Sequence, residues 1–195
     1  MATKKSNKQL WIMLALIAVI IAAILLLPSC GSRGGKAEAD TESTTLVKAG
    51  DKAPDFTVEM FDGTKTSLAE LKGKVVLLNF WATWCPPCKQ EMPEIQALYE
   101  RYGKNSGDLI VLGVAGPNQD REGSADHVKE FLSKNNYTFP VVLDESGDLF
   151  YQYRISAFPT TYMIDKDGNI YGGVASALTG DMMESIVKQT MDANQ

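Results

Sequence analysis

Cys85 and Cys88 are separated by Pro86 and Pro87 and preceded by Trp84, and the pair stands between an apolar run, Val75 to Trp81, and a helix-like stretch that begins at Pro86. Two thiols at this spacing can alternate between a dithiol and a disulfide. A strand-to-helix junction puts the first sulfur at a helix N-terminus, where unpaired backbone N–H groups and the helix dipole stabilise a thiolate. The second sulfur lies one turn further in. Disulfide exchange uses that asymmetry, because one accessible thiolate attacks a partner disulfide and the other thiol resolves the mixed disulfide. Cys85 is the expected nucleophile and Cys88 the expected resolving cysteine. Pro86 suits the first helical position, where a missing N–H costs little, and Pro87 is still in the first turn. Both prolines restrict how the loop relaxes when the disulfide opens. An inert structural disulfide and half of a zinc site are the alternative readings of the pair. A structural zinc normally needs four ligands, and the single histidine, His127, lies far off in a polar, helix-like segment. No metal and no cofactor is expected.

The elements around the pair follow from periodicity. Val75 to Trp81 is almost continuously apolar, as in a central strand covered on both faces. A helix is predicted over 86–102, apolar at Met92, Ile95, Leu98 and Tyr99, with a kink at Pro93. Leu109 to Val114 is a second buried strand, so the dithiol sits at the carboxyl end of the first strand of a β-α-β unit. Upstream, Phe56 to Met60 forms a short strand, Asp62-Gly63 a turn, and Ser67 to Leu71 a short helix. Downstream come a helix over 125–134, a strand over 140–143 and a short helix over 146–153. Strands at 161–164 and 170–174 are joined by the turn Asp165 to Asn169 and should form an antiparallel hairpin. A helix over 179–189 closes the chain.

A different feature says where the switch works. Lys4, Lys5 and Lys8 precede an uncharged apolar run from Leu10 to Leu27, followed by Pro28, Ser29 and Cys30. A basic flank before such a run reads as an export signal or a membrane span, with the basic end in the cytoplasm. At 1.5 Å per residue the run reaches roughly 26 Å, near the lower limit for crossing the hydrocarbon core. Leu27-Pro28-Ser29-Cys30 resembles the lipobox of bacterial lipoproteins, which makes Cys30 the candidate for lipidation; an uncleaved signal anchor is the alternative. Residues 1–30 are thus read as signal peptide or signal anchor, 31–47 as a flexible tether rich in Gly, Ser, Thr and charge, and 48–195 as the folded domain. The net charge is −5 and, without the three amino-terminal lysines, −8, which argues against nucleic acid as a partner.

Five segments together carry a family resemblance: Ala53-Pro54-Asp55-Phe56, Gly63 with Ser67-Leu68, Leu71-Lys72-Gly73-Lys74, the run Asn79 to Cys88, and Phe158-Pro159-Thr160-Thr161. The chain resembles membrane-tethered thioredoxin-fold proteins of the TlpA and ResA type over roughly residues 50–189. The resemblance implies an α/β thioredoxin fold with a central mixed β-sheet flanked by helices and an added amino-terminal β-containing segment. It makes Pro159 a cis-proline beside the dithiol, flanked by Phe158 and Thr160, where an extended substrate can pair with free backbone groups. Trp84 is expected to pack around Cys85, and together with Pro86 and Pro87 it completes the substrate-binding set. Glu91 matches an acidic residue that tunes thiol titration or assists proton transfer. Asn79 holds the place of the buried aspartate of cytosolic thioredoxins and cannot act as a base.

By the same resemblance the function is thiol-disulfide oxidoreduction of exported proteins, in the reducing direction. Substrates include the haem-attachment Cys-x-x-Cys-His segment of apocytochrome c, and electrons come from a membrane thiol donor resembling CcdA. The domain is expected to be monomeric and to bind no haem, since Lys89 and not histidine follows Cys88. The amino-terminal section also resembles the peroxiredoxins, but the proline seven residues before their reactive cysteine is Leu78 here. A thiol peroxidase and a non-catalytic peptide-binding chaperone are the other classes. The motif does not separate reductant from oxidant, since potential depends on relative thiol pKa and disulfide stability.

Overall fold

The structure is a computed structural model that describes residues 46–59 and 65–193. The apolar run, Cys30 and the tether up to residue 45 lie outside the described residues. Among the described residues no helix is long and apolar enough to cross a membrane.

Thr57–Glu59 (β1) and Lys65–Ser67 (β2) pair antiparallel, Thr57 opposite Ser67. The sequence predicts no strand at β2, because Lys65-Thr66-Ser67 has no apolar alternation; pairing with β1 imposes the extended form. Ser67 then caps a 3-10 turn, Leu68–Leu71, and its N–H donates to the Glu70 carboxylate at 2.8 Å. The predicted helix is reduced to that turn.

The core is built on Val75–Phe80 (β3), six buried residues. Val75 and Leu77 face a cluster that includes Met92, Ile95 and Val187. Val76, Leu78 and Phe80 face a second cluster with Leu149, Tyr153 and Tyr162. The period of two therefore serves two cores, which is why the run shows no polar face. Each fully buried large apolar side chain contributes about 1.5–3 kcal/mol. Pro86–Arg101 (α1) follows, a continuous helix with Pro93 on its exposed side, then Leu109–Ala115 (β4) and Ala125–Lys134 (α2). Val141–Leu143 (β5), Asp148–Gln152 (α3), Thr160–Ile164 (β6), Ile170–Val174 (β7) and Gly180–Asp192 (α4) complete the domain.

The main sheet runs β5-β4-β3-β6-β7, with β3, β4 and β5 parallel and β6 and β7 antiparallel to their neighbours. It is the mixed sheet of a thioredoxin fold. Trp81 falls just past β3, and a side chain at Gly113 of β4 would meet its ring nitrogen at 2.9 Å, so glycine is needed there. The β6–β7 hairpin is the one expected: Gly168 takes φ +83°, and the Asp165 carboxylate accepts from the N–H of Asp167 and Asn169 at 3.0 and 2.8 Å.

The amino-terminal segment is tied to this hairpin. Gly50 N–H donates to Ile170 O at 2.7 Å, Ile170 N–H to Asp51 O at 2.8 Å, and Ala53 N–H to Gly168 O at 3.0 Å. Tyr162 OH accepts from Val47 N–H at 3.0 Å and donates to Tyr153 O at 2.7 Å.

Candidate active site

Cys85 is the N-cap of α1, and its sulfur accepts from Cys88 N–H at 3.2 Å, while Pro86 and Pro87 occupy the first two helical positions, both exposed. The two cysteines are joined as a disulfide with Cα atoms 5.3 Å apart, inside the usual span for such a bond. In this state Cys85 is 3 % exposed and Cys88 fully buried. Of the two, Cys85 alone keeps any contact with solvent in the disulfide form, which makes its sulfur the one a partner thiol can reach.

Glu91, one turn beyond Cys88 on α1, is 1 % exposed. Among the described residues its carboxylate has no ion-pair partner: Oε1 accepts from Asn79 Nδ2 at 2.7 Å and Oε2 from Leu178 N–H at 2.8 Å. Burial raises its pKa above the ordinary carboxylate range, and those two hydrogen bonds oppose the rise in part. Asn79, in the middle of β3, also donates to Thr161 Oγ1 of β6 at 2.9 Å. Its own Oδ1 is buried without a partner among the described residues. An acid whose pKa is moved toward neutrality, set in the helix that carries both sulfurs, is equipped to exchange protons.

The opposite wall comes from the loop that leads into β6. The Phe158–Pro159 bond is cis, Pro159 is buried, and Phe158 meets Trp84 edge to face with ring centroids 5.9 Å apart. Thr160 is buried and its hydroxyl donates to Ala157 O at 2.8 Å, so its side chain shapes the loop. A cavity of about 140 Å³ opens between Trp84, Phe158, Phe150 and Gly116. The Trp84 ring N–H is buried and has no acceptor among the described residues.

Another group reaches this turn unannounced by the sequence. The loop after β4 brings Glu122 against Thr83: its carboxylate accepts from Thr83 N–H at 2.6 Å and Thr83 Oγ1 at 2.6 Å. His127 Nε2 lies 3.3 Å from the same hydroxyl. The histidine that stands far off along the chain is thus a neighbour of the active-site turn. The loops that leave adjacent parallel strands at their carboxyl ends converge, and that rule was the one available signal. Among the described residues no three His, Cys, Asp or Glu side chains group as metal ligands.

The sequence profile described as the AhpC/TSA family matches residues 49–172. The thiol-disulfide oxidoreductase ResA of Bacillus thuringiensis subsp. konkukian is 32 % identical over 172 residues, covering 88 % of this chain and 95 % of the relative. The thioredoxin-like protein YneN of Bacillus subtilis is 36 % identical over 165 residues, 84 % of this chain and 94 % of the relative. Among solved structures, the exposed lipoprotein thioredoxin Etrx1 of Streptococcus pneumoniae superposes with a TM-score of 0.63 at 31 % identity, over 70 % of this chain and 99 % of that one. The AhpC/TSA match does not revive the peroxidase reading, since buried Leu78 and Ala82 stand where that chemistry has proline and Thr or Ser. With a disulfide capping the helix after the central strand and relatives that align along nearly their whole length, the chain belongs to the AhpC/TSA family and, within it, to the ResA-like thiol-disulfide oxidoreductases of thioredoxin fold.

Proposed function

We propose that Cys85 attacks, Cys88 resolves and Glu91 carries the proton, in an enzyme that reduces disulfides of exported proteins. The observation that carries this reading is the disulfide at the N-terminal end of α1 with a buried carboxyl, its pKa raised by burial, one turn beyond it. In the reducing direction the Cys85 thiolate attacks one sulfur of the substrate disulfide, and the departing sulfur leaves as a thiol once protonated. Cys88, after losing its proton to Glu91, attacks Cys85, releases the second substrate thiol and closes the protein disulfide. The electron pair passes from the protein dithiol to the substrate. Trp84, Phe158 and Pro159, with Pro86 and Pro87 at the rim, form the docking face for an extended substrate segment.

The preferred substrate is the oxidised Cys-x-x-Cys-His segment of apocytochrome c, and the electron source is a membrane thiol donor resembling CcdA. A general envelope reductase is the second reading, favoured by a docking face built mainly of aromatic and proline side chains, whose apolar contacts suit many sequences. Equilibration of the full-length protein in detergent with glutathione or dithiothreitol mixtures tests the direction. The expected potential lies toward about −270 mV, the thioredoxin value, and well below the DsbA-like value of about −120 mV. A potential above roughly −150 mV would point to a disulfide-introducing enzyme. Equal rates on a Cys-x-x-Cys-His peptide and on unrelated disulfide peptides would leave the general reductase standing alone.

The domain acts outside the cytoplasmic membrane, held there by residues 1–30 and the tether 31–47, with the folded part from 48 onward. Support comes from the basic and apolar amino terminus and from the similarity to an exposed lipoprotein. Labelling of cells with a fatty acid, followed by intact-mass analysis, is expected to yield either lipid on Cys30 with residues 1–29 gone, or an uncleaved amino terminus. Recovery as cleaved, lipid-free soluble protein would rule out both forms of anchor.

A further inference from the structure

We propose that the loop between β4 and α2 is a clamp on the redox turn, in which Glu122 is a positioning residue that holds Thr83, and through it Trp84 and Cys85, in one geometry whether the disulfide is closed or open. The inference rests on the roles given above to Cys85 and Cys88. Thr83 lies two residues before the attacking sulfur, in the turn between β3 and α1. Both Thr83 and Glu122 are buried. The carboxylate takes the Thr83 N–H and hydroxyl at 2.6 Å each and the Gly123 N–H at 2.9 Å. Hydrogen bonds to a carboxylate are roughly twice as strong as those between neutral groups. The residue before Glu122 holds the side chain next to the sulfur as well: the Arg121 guanidinium lies 3.9 Å from the centre of the Trp84 ring. One loop therefore grips both the backbone of the turn and the ring beside Cys85.

The physical need for such a grip arises when the disulfide opens. The turn then loses its covalent tie to Cys88 and keeps three backbone bonds, Trp81 N–H to Val114 O at 3.0 Å, Cys85 N–H to Ala82 O at 3.2 Å and Lys89 N–H to Cys85 O at 3.2 Å. The prolines stiffen only the downstream side. Each residue released there regains backbone conformational freedom. None of the Glu122 bonds contains a sulfur atom, so all three persist through the redox cycle and keep the Cys85 sulfur aimed at the docking face.

A side chain that only satisfied buried donors would leave the redox equilibrium alone. The clamp predicts otherwise for the exchange in which the protein disulfide and two glutathione thiols give the protein dithiol and glutathione disulfide. Removing Glu122 frees the dithiol form more than the cross-linked form, and it also removes a negative charge near the thiolate. Both effects favour the dithiol. In the full-length protein in detergent, Glu122→Ala is expected to move that equilibrium constant about tenfold toward the dithiol, equivalent to about 30 mV, and to lower kcat for a disulfide peptide about tenfold. Glu122→Gln keeps one acceptor oxygen and shifts the constant about threefold in the same direction. Thr83→Val, which loses only the hydroxyl bond, serves if Glu122→Ala does not fold. Glu130→Gln, which removes an equal charge from an exposed pair with Lys134, is the control and should change neither quantity. Folded Glu122 variants with a wild-type equilibrium constant and wild-type kcat would overturn the clamp while leaving the cysteine roles intact. A wild-type chain whose Cys85–Cys88 bond resists glutathione at every ratio would overturn the cysteine roles, and the clamp with them.

Discussion

Cys88→Ser is expected to accumulate mixed disulfides through Cys85 when the protein meets an oxidised peptide, because the attack succeeds and no thiol remains to resolve it. Cys85→Ser should capture nothing and should lower turnover on the order of 10³-fold or more, since removing an enzyme's nucleophile leaves only binding. The geometry supports this order: Cys85 caps the helix and receives the Cys88 N–H, the polarity that stabilises a thiolate, whereas Cys88 lies inside the first turn and is fully buried. Trapping followed by mass mapping of the linked cysteine checks the assignment. Substrate found chiefly on Cys88 in the Cys85→Ser protein would reverse it.

Glu91→Gln is expected to slow disulfide reduction about 10²-fold at neutral pH, the typical contribution of a positioned acid or base. Folding should survive the change. A glutamine oxygen still accepts the Leu178 N–H, and a rotated Asn79 amide can present its unpartnered oxygen to the new NH₂ while Thr161 donates to the same oxygen. The variant also carries a signature in stability. The folded state holds the Glu91 proton more tightly than the unfolded chain, where such a carboxyl titrates near about 4.3. Wild-type stability should therefore fall as pH rises from that value through the raised folded pKa, and level off above it. The variant lacks that slope. Urea unfolding of the oxidised proteins between pH 4 and 8 measures the difference, which should grow with pH in favour of glutamine. A difference that stays constant across that range would contradict the buried-acid account.

Much of the positioning of the dithiol was legible in order along the chain. The continuous apolarity of Val75 to Trp81 marks a strand covered twice, and the two clusters that divide its alternate residues are the physical cause of that pattern. The Cys85-Pro86-Pro87-Cys88 run states its own helix start, because proline and an N-cap thiol fit only the first turn. The hairpin at Asp165 to Asn169 is equally local, since an aspartate that accepts its own loop's N–H groups needs no distant partner.

Other features were not local. β2 is extended because β1 lies beside it, and three polar residues carry no periodicity from which to read that. The environment of Glu91 comes from three separate segments, with Asn79 on β3 and Leu178 before α4 supplying the donors, so its burial is a property of packing and not of helix spacing. Glu122 and His127 lie 39 and 44 residues from Thr83 along the chain, and the parallel pairing of β3 with β4 alone sets their loops side by side. The sequence by itself determined which atoms can exchange electrons, because two sulfurs at a helix start are a local motif. Only the tertiary structure decided that Glu91 is stripped of water and that the loop after β4 lies against their turn, since desolvation and hydrogen-bond partners belong to the packed chain.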